Sequence, residues 1–198
     1  DFFNYKFKNT NKKNILFISQ FLGRHHSVFK DRHQVILNLA KKDFNVHICL
    51  LKEPEFKYLR IYEDVKEIIY FPDKNDFNSI ITFINKIRIY NFDKVVFCEI
   101  GMCNFAHILA HFRLGRIQYN TWGHSDTSGL QHIDYYVSSK LYELEYEEAQ
   151  KNYSEKLILQ NGLCTSYVNP IEGYVFEKKR TFYGLSKNDF IVLCPQSL

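Results

Sequence analysis

The feature that most constrains this chain is a series of short apolar runs separated by helical stretches. The runs are Asn14 to Gln20, Phe44 to Leu51, Lys66 to Phe71, Lys94 to Ile100, Arg116 to Trp122, Ile133 to Ser138 and Lys156 to Leu159. Each has strand length, and the unbroken Ile15-Leu16-Phe17-Ile18 core of the first suits a parallel sheet covered on both faces. Between them, Val28 to Lys41 carries Val35, Ile36, Leu39 and Ala40 at helical spacing. Asp76 to Tyr90 carries Phe77, Ile80, Ile81, Ile84 and Ile87 on one helical face. Asn104 is placed to cap a helix reaching Phe112, and Glu143 to Lys151 reads as a short acidic helix. This alternation predicts βαβ units, and hence an α/β fold with a doubly wound, mainly parallel sheet.

A chain of 198 residues, 45% hydrophobic and 24% charged, suffices for one well-buried α/β core. The expected division is a domain over 1–168, a connector over 169–189, and over 190–198 the first strand of a further domain. The chain does not open on Met and closes on the strand-like Ile191-Val192-Leu193-Cys194, so it reads as a piece of a longer protein. A net charge of +4 with scattered basic residues argues against nucleic acid, which needs a denser basic stripe. The 17% aromatic share accompanies an excess of Lys, Asn and Ile and reads mainly as codon bias. Five cysteines match no zinc spacing and read as free thiols in a reducing compartment. With no signal-peptide core and no run of membrane-spanning length, a cytoplasmic location is expected.

Ligands of such sheets gather beyond the carboxyl ends of the strands, which directs attention to three loops. Phe21 to Ser27 follows the first strand: Gly23 permits a tight turn, His25 and His26 can exchange protons near neutral pH, and Ser27 can equally be a plain helix cap. Glu99 to Asn104 follows the fourth strand, where Gly101 suits a tight strand-to-helix turn. Gly123, His124, Ser125, Asp126, Thr127 and Ser128 follow the fifth. Their N–H groups can hold an anion or a sugar hydroxyl, His124 or Asp126 can handle a proton, and an ordinary turn is the alternative. His107 and His111 lie four apart but lack a third ligand, so no metal site is expected.

Five of these segments in order carry a resemblance. Ile100-Gly101-Met102, Arg113-Leu114-Gly115-Arg116-Ile117-Gln118, Gly123-His124-Ser125-Asp126-Thr127-Ser128, Ile133-Asp134-Tyr135 and Tyr153-Ser154-Glu155-Lys156-Leu157 resemble the O-GlcNAc transferase family. The likeness is specifically to its bacterial branch of N-glucosyltransferases that modify adhesins. Arg116 and Ser125 stand where that family carries proline. The resemblance implies the amino-terminal Rossmann-like half of a GT-B glycosyltransferase. It implies inverting, metal-independent transfer from a UDP-sugar, used as co-substrate with no cofactor, to an acceptor protein or peptide. His25 and His26 would line the acceptor side. Gly23, Ser27, Gly101, Met102 and the Gly123 to Ser128 loop would border substrate. Gln196 and Ser197 would open the donor loop of a missing carboxyl-terminal domain. A GT-B enzyme acting on a carbohydrate, lipid or small molecule, and a non-enzymatic interaction domain, are the alternatives.

Overall fold

A computed structural model describes residues 5–8, 13–72, 76–124, 126–167, 178–192 and 194. The chain divides into two compact units, Asp1–Val168 and Asn169–Leu198. In the first unit the order is β1 (Asn14–Ser19), α1 (Ser27–Ala40), β2 (Asn45–Leu50), α2 (Phe56–Leu59) and β3 (Glu67–Tyr70). Then come α3 (Phe77–Ile89), β4 (Phe92–Phe97), α4 (Asn104–Ala110), β5 (Gly115–Thr121), β6 (Tyr135–Ser139), α5 (Tyr146–Ala149) and β7 (Lys156–Gln160).

All seven strands join one sheet in the order β3-β2-β1-β4-β5-β6-β7, and every neighbouring pair is parallel. This is a Rossmann-like α/β fold. The chain winds outward from β1 to β3, then returns to place β4 beside β1. The winding therefore reverses between β1 and β4, and the loops after these two strands part company there.

Alternate residues of β1 and β4 explain their apolar runs, because each run feeds two cores. Leu16, Ile18, Val95 and Phe97 pack with Phe83, Ile84 and Ile87 of α3 and with Leu109 of α4. Ile15 and Phe17 point the other way and pack with Val46, Ile48, Phe29 and Ile36 of α1, and Tyr62. The single-turn helix α2 and the 3-10 turn Arg60–Tyr62 were not expected from the sequence. Four residues are too few to show a helical period.

Element boundaries differ from expectation where side chains take over backbone duties. β4 begins at Phe92, fully buried and paired with Gly115, and ends at Phe97. Ile100 belongs to a 3-10 turn, Ile100–Met102. Cys103, not Asn104, caps α4, its Sγ accepting the Ala106 N–H at 3.4 Å. β6 starts two residues later than Ile133. The turn before it is held by the Asp134 carboxylate, which accepts the Gln118 N–H at 2.7 Å and pairs with Arg113 at 2.5 Å. In the second unit a 3-10 turn, Arg180–Tyr183, closes on Gly184 at φ 71°. Of the final run, Phe190 to Val192 and Cys194 are described, in no strand, and Leu193 and residues 195–198 lie outside the described residues.

Candidate functional site

β1, β4 and β5 are adjacent and parallel, so the three loops singled out above emerge on one edge of the sheet. Two of them touch. A Cβ placed on Gly101 would lie 2.7 Å from Cγ of the His124 ring, inside any tolerated contact, so only glycine lets the β4 loop meet the β5 loop. Gly101→Ala is expected to push His124 aside and to lower stability by about 1–2 kcal/mol through overcrowding, measurable by chemical melts and by the His124 ring NMR signals. Gly101 and Met102 are both exposed at this lip. The β1 loop joins the same edge through Gln20, whose side chain donates to the Met102 carbonyl at 3.5 Å.

Within the β1 loop the sequence-predicted residues separate. The Ser19 hydroxyl accepts the N–H groups of Phe21 and Leu22, turning the chain out of the sheet. Gly23 is buried and lies so close to Pro54 that a Cβ would come within 2.4 Å of it. Its carbonyl accepts the Glu55 N–H at 2.8 Å. Gly23 therefore packs the β1 loop on the β2 loop. Arg24 reinforces that packing with two bonds to the Glu53 carbonyl, at 2.9 and 2.6 Å.

His26, not Ser27, caps α1. Its Nδ1 accepts the Val28 N–H at 3.2 Å, and its ring stacks on Phe21 with centroids 3.6 Å apart. Burial lowers its pKa, with Asp31 opposing that shift, so the ring is neutral near pH 7. A neutral imidazole accepting at Nδ1 carries its proton on Nε2. In this geometry the Nδ1 lone pair is taken by the Val28 N–H, and His26 offers its Nε2–H as a donor. His25 and Ser27 are exposed.

The β5 loop is held from below. Glu155, 1% exposed, accepts the Thr127 hydroxyl at 2.6 Å, the Ser128 N–H at 2.9 Å and the Ser154 hydroxyl at 3.0 Å. It also accepts the Ser128 hydroxyl. The hydrogen bonds from Ser128 and Thr127 outweigh the effect of burial and hold its carboxyl below the ordinary value. The Gly129 and Leu130 N–H groups are in turn taken by the Thr127 and Ser128 hydroxyls. The Thr127 and Ser128 hydroxyls and the Ser128 N–H thus serve the clamp. Gly123, His124 and Asp126 form the exposed part, with His124 Nδ1 3.5 Å from the Asp126 carboxylate. Ser125, Gln196 and Ser197 lie outside the described residues.

Two buried charged residues complete the edge. Arg32 of α1, 4% exposed, donates to the carbonyls of Trp122 and Cys164. It thereby ties the β5 loop and the segment after β7 to α1. Glu99, at the end of β4 and 1% exposed, accepts the Gln20 N–H at 2.5 Å and the Ser19 hydroxyl. Its other oxygen has no partner among the described residues. Burial pushes its carboxyl up to about 7. Among the described residues no cluster of three metal-capable side chains exists. His107 on α4 and His111 at its C-cap are exposed, with rings 5.2 Å apart.

No family model matches this chain, and no curated protein matches its sequence. A solved structure does: an O-GlcNAc transferase mutant from Thermobaculum terrenum, with a TM-score of 0.66 and 15% identity over 78% of this chain. The chain spans 28% of that protein's length. At such identity the likeness is one of architecture. The protein has a Rossmann-like α/β fold shared with part of a glycosyltransferase.

Proposed function

We propose that this chain is the acceptor-side half of a cytoplasmic, two-domain glycosyltransferase that moves a sugar from a UDP-sugar to a protein side chain. The observation that carries the reading is the gathering of the β1, β4 and β5 loops on one sheet edge at the reversal of winding. They stand where doubly wound sheets hold ligands. Support comes from the ordered motifs between Ile100 and Leu157 and from the fold shared with an O-GlcNAc transferase. The buried free thiols of Cys49, Cys98, Cys103 and Cys164 fit a reducing compartment.

In the proposed inverting reaction the acceptor nucleophile attacks the anomeric carbon. The bond to the diphosphate oxygen breaks, UDP leaves with the electron pair, and the acceptor loses its proton. His25 is the exposed imidazole of the β1 loop and borders the acceptor. His26 donates from Nε2, and Gly101, Met102, Gly123 and His124 border the diphosphate or sugar. Gln196 and Ser197 belong to the donor half in this reading.

The test is mass spectrometry of proteins co-expressed with the full-length protein. A hexose or N-acetylhexosamine adduct on a protein side chain is expected. His25→Ala should reduce adduct formation roughly 100-fold or more if the imidazole handles the proton. Absence of any adduct together with absence of UDP-sugar hydrolysis would overturn the reading. The chain 1–198 alone should show no micromolar UDP binding by calorimetry.

A further inference from the structure

The amino-terminal edge of the sheet, opposite the three loops, carries a second polar cluster. Asn14, His47 and Glu67 each stand two residues before a core residue of their strand, namely Leu16, Cys49 and Ile69. The two-residue period of a strand therefore puts them on the face that α3 covers. Asn45, two residues before His47, shares that face, and the register sets it beside Asn14 and sets Glu67 beside His47. Tyr90 at the C-cap of α3 donates its hydroxyl to Glu67 Oε1 at 2.9 Å. These five residues, with Lys66 at the rim, line a cavity of about 440 Å³.

His47 gives the cluster its chemistry. It is 6% exposed, and its ring is held edge-on between Phe92 and Tyr90, with centroids 5.0 and 5.6 Å away. Among the described residues two buried side-chain atoms lack a hydrogen-bond partner, Glu99 Oε2 at the loop edge and His47 Nδ1 here. Buried polar atoms are ordinarily satisfied, so the Nδ1 calls for a partner. Glu67 Oε2 lies 3.7 Å from it, too far for a hydrogen bond. Burial holds the His47 pKa below its ordinary value against the pull of Glu67, so the ring is neutral near pH 7 and keeps one lone pair.

The spacing fits a bridging cation. A zinc ion binds imidazole nitrogen and carboxylate oxygen at about 2.0–2.1 Å, so it can touch both atoms across 3.7 Å with an angle of roughly 125° at the metal. A closure of roughly 0.4 Å makes that angle tetrahedral. Tyr90 fixes Glu67 Oε1 and so orients the carboxylate, as groups behind metal ligands do. The negative end of the α3 dipole lies at Tyr90 and favours a cation. Asn45 gives its Nδ2 to Asn14 at 2.9 Å, which leaves its Oδ1 as a further oxygen on the same face. Lys66 opposes a cation but is exposed and carries its charge into water. Mg²⁺ and Ca²⁺ demand more oxygens, whereas imidazole with carboxylate suits Zn²⁺. The His124 and Asp126 pair, 3.5 Å apart, is exposed and solvated at both members. We propose that His47 Nδ1 and Glu67 Oε2 bind a zinc ion, with Asn45 Oδ1 and water completing its coordination, and that the ion clips β2 to β3. The site lies at the opposite ends of the strands from the proposed transferase site, so this inference stands whether or not that reading does.

The test uses the untagged chain 1–198 carrying His107→Ala and Cys194→Ser, which remove an exposed imidazole pair and an exposed thiol that could also take zinc. Zinc chloride is titrated by calorimetry and by NMR of the histidine rings. A dissociation constant on the order of 10 µM is expected, with the His47 ring signals shifting in step with the heat. Glu67→Gln, at an exposed side chain of the same size, should weaken binding at least about tenfold, and Tyr90→Phe, which only frees the carboxylate, about tenfold. Zinc should also raise the Tm of the parent protein and leave that of Glu67→Gln nearly unchanged. Circular dichroism checks that both variants fold. An unmoved His47 ring at roughly 1 mM zinc would sink the proposal. So would zinc binding indifferent to Glu67→Gln, or shifts confined to His25, His26 and His124, because the ion would then sit elsewhere.

Discussion

Glu155→Ala is expected to lower the unfolding free energy by about 2–4 kcal/mol and to free the β5 loop, since it strips the shared acceptor from the Thr127 and Ser128 hydroxyls and the Ser128 N–H. All of these donors face a carboxylate that is 1% exposed, so water cannot readily replace it. Hydrogen exchange should show the loss locally, with faster exchange from Ser128 to Leu130 than elsewhere in the sheet. The sign of the pH dependence follows from the same contacts. The folded-state pKa lies below the ordinary value of 4.5, so the carboxylate's contribution is present above that value. It is lost as the pH falls through the folded pKa. Wild-type melts should therefore destabilise in acid more steeply than melts of Glu155→Ala. Equal acid slopes would show that the clamp does not hold the loop. If the proposed transferase reading is right, the variant also loses transfer through misplacement of Gly123 and His124.

Glu99→Gln is expected to act in the opposite direction. Burial raises the Glu99 carboxyl from 4.5 to about 7, so the folded state favours the protonated form. That contribution is full below 4.5 and is lost as the pH rises through about 7. Glutamine keeps the carbonyl that accepts from Gln20 and Ser19 and cannot ionise. The two proteins should melt alike near pH 4, whereas near pH 8 the variant should be the more stable by ~3 kcal/mol, or roughly 6–12 °C in Tm for a protein of this size. A wild-type protein as stable as the variant at pH 8 would mean that Glu99 ionises without cost, through water or an ion reaching its unpartnered oxygen.

These two carboxylates lie beneath neighbouring loops of the same edge and titrate in opposite senses for one physical reason. Glu155 is surrounded by donors, and Glu99 has donors on one oxygen only. Between about pH 5 and 7 both are in the form that the fold prefers. The edge should be most rigid in that window.

The strands were legible because their signal is local. A run such as Ile15-Leu16-Phe17-Ile18 has to be buried on both faces, and only a sheet covered on both faces allows it. The helical face Ile80, Ile81, Ile84, Ile87 was legible on the same ground, since its period is written in neighbouring residues, whereas Phe77, expected on that face, stands 73% exposed at the start of the helix. With the order of strands and helices known, parallel pairing and right-handed crossovers leave few topologies, and the placement of His25, Gly101 and Gly123 on one edge follows.

What the sequence determined by itself, then, is the pattern of elements and the edge at which loops collect. The cap of α1 was not legible, because His26 and Ser27 both offer an acceptor one residue apart and Phe21 stacking selects the ring. Glu99 closes an apolar run and looks like a solvated strand end, and Glu155 looks like one more acid near Glu147 and Glu148. Only the tertiary structure buries them, bringing Glu155 to Ser128 across 27 residues and Gln20 to Glu99 across 79. Burial and pairing over such separations depend on how the strands lie side by side, and no window of neighbouring residues contains that information.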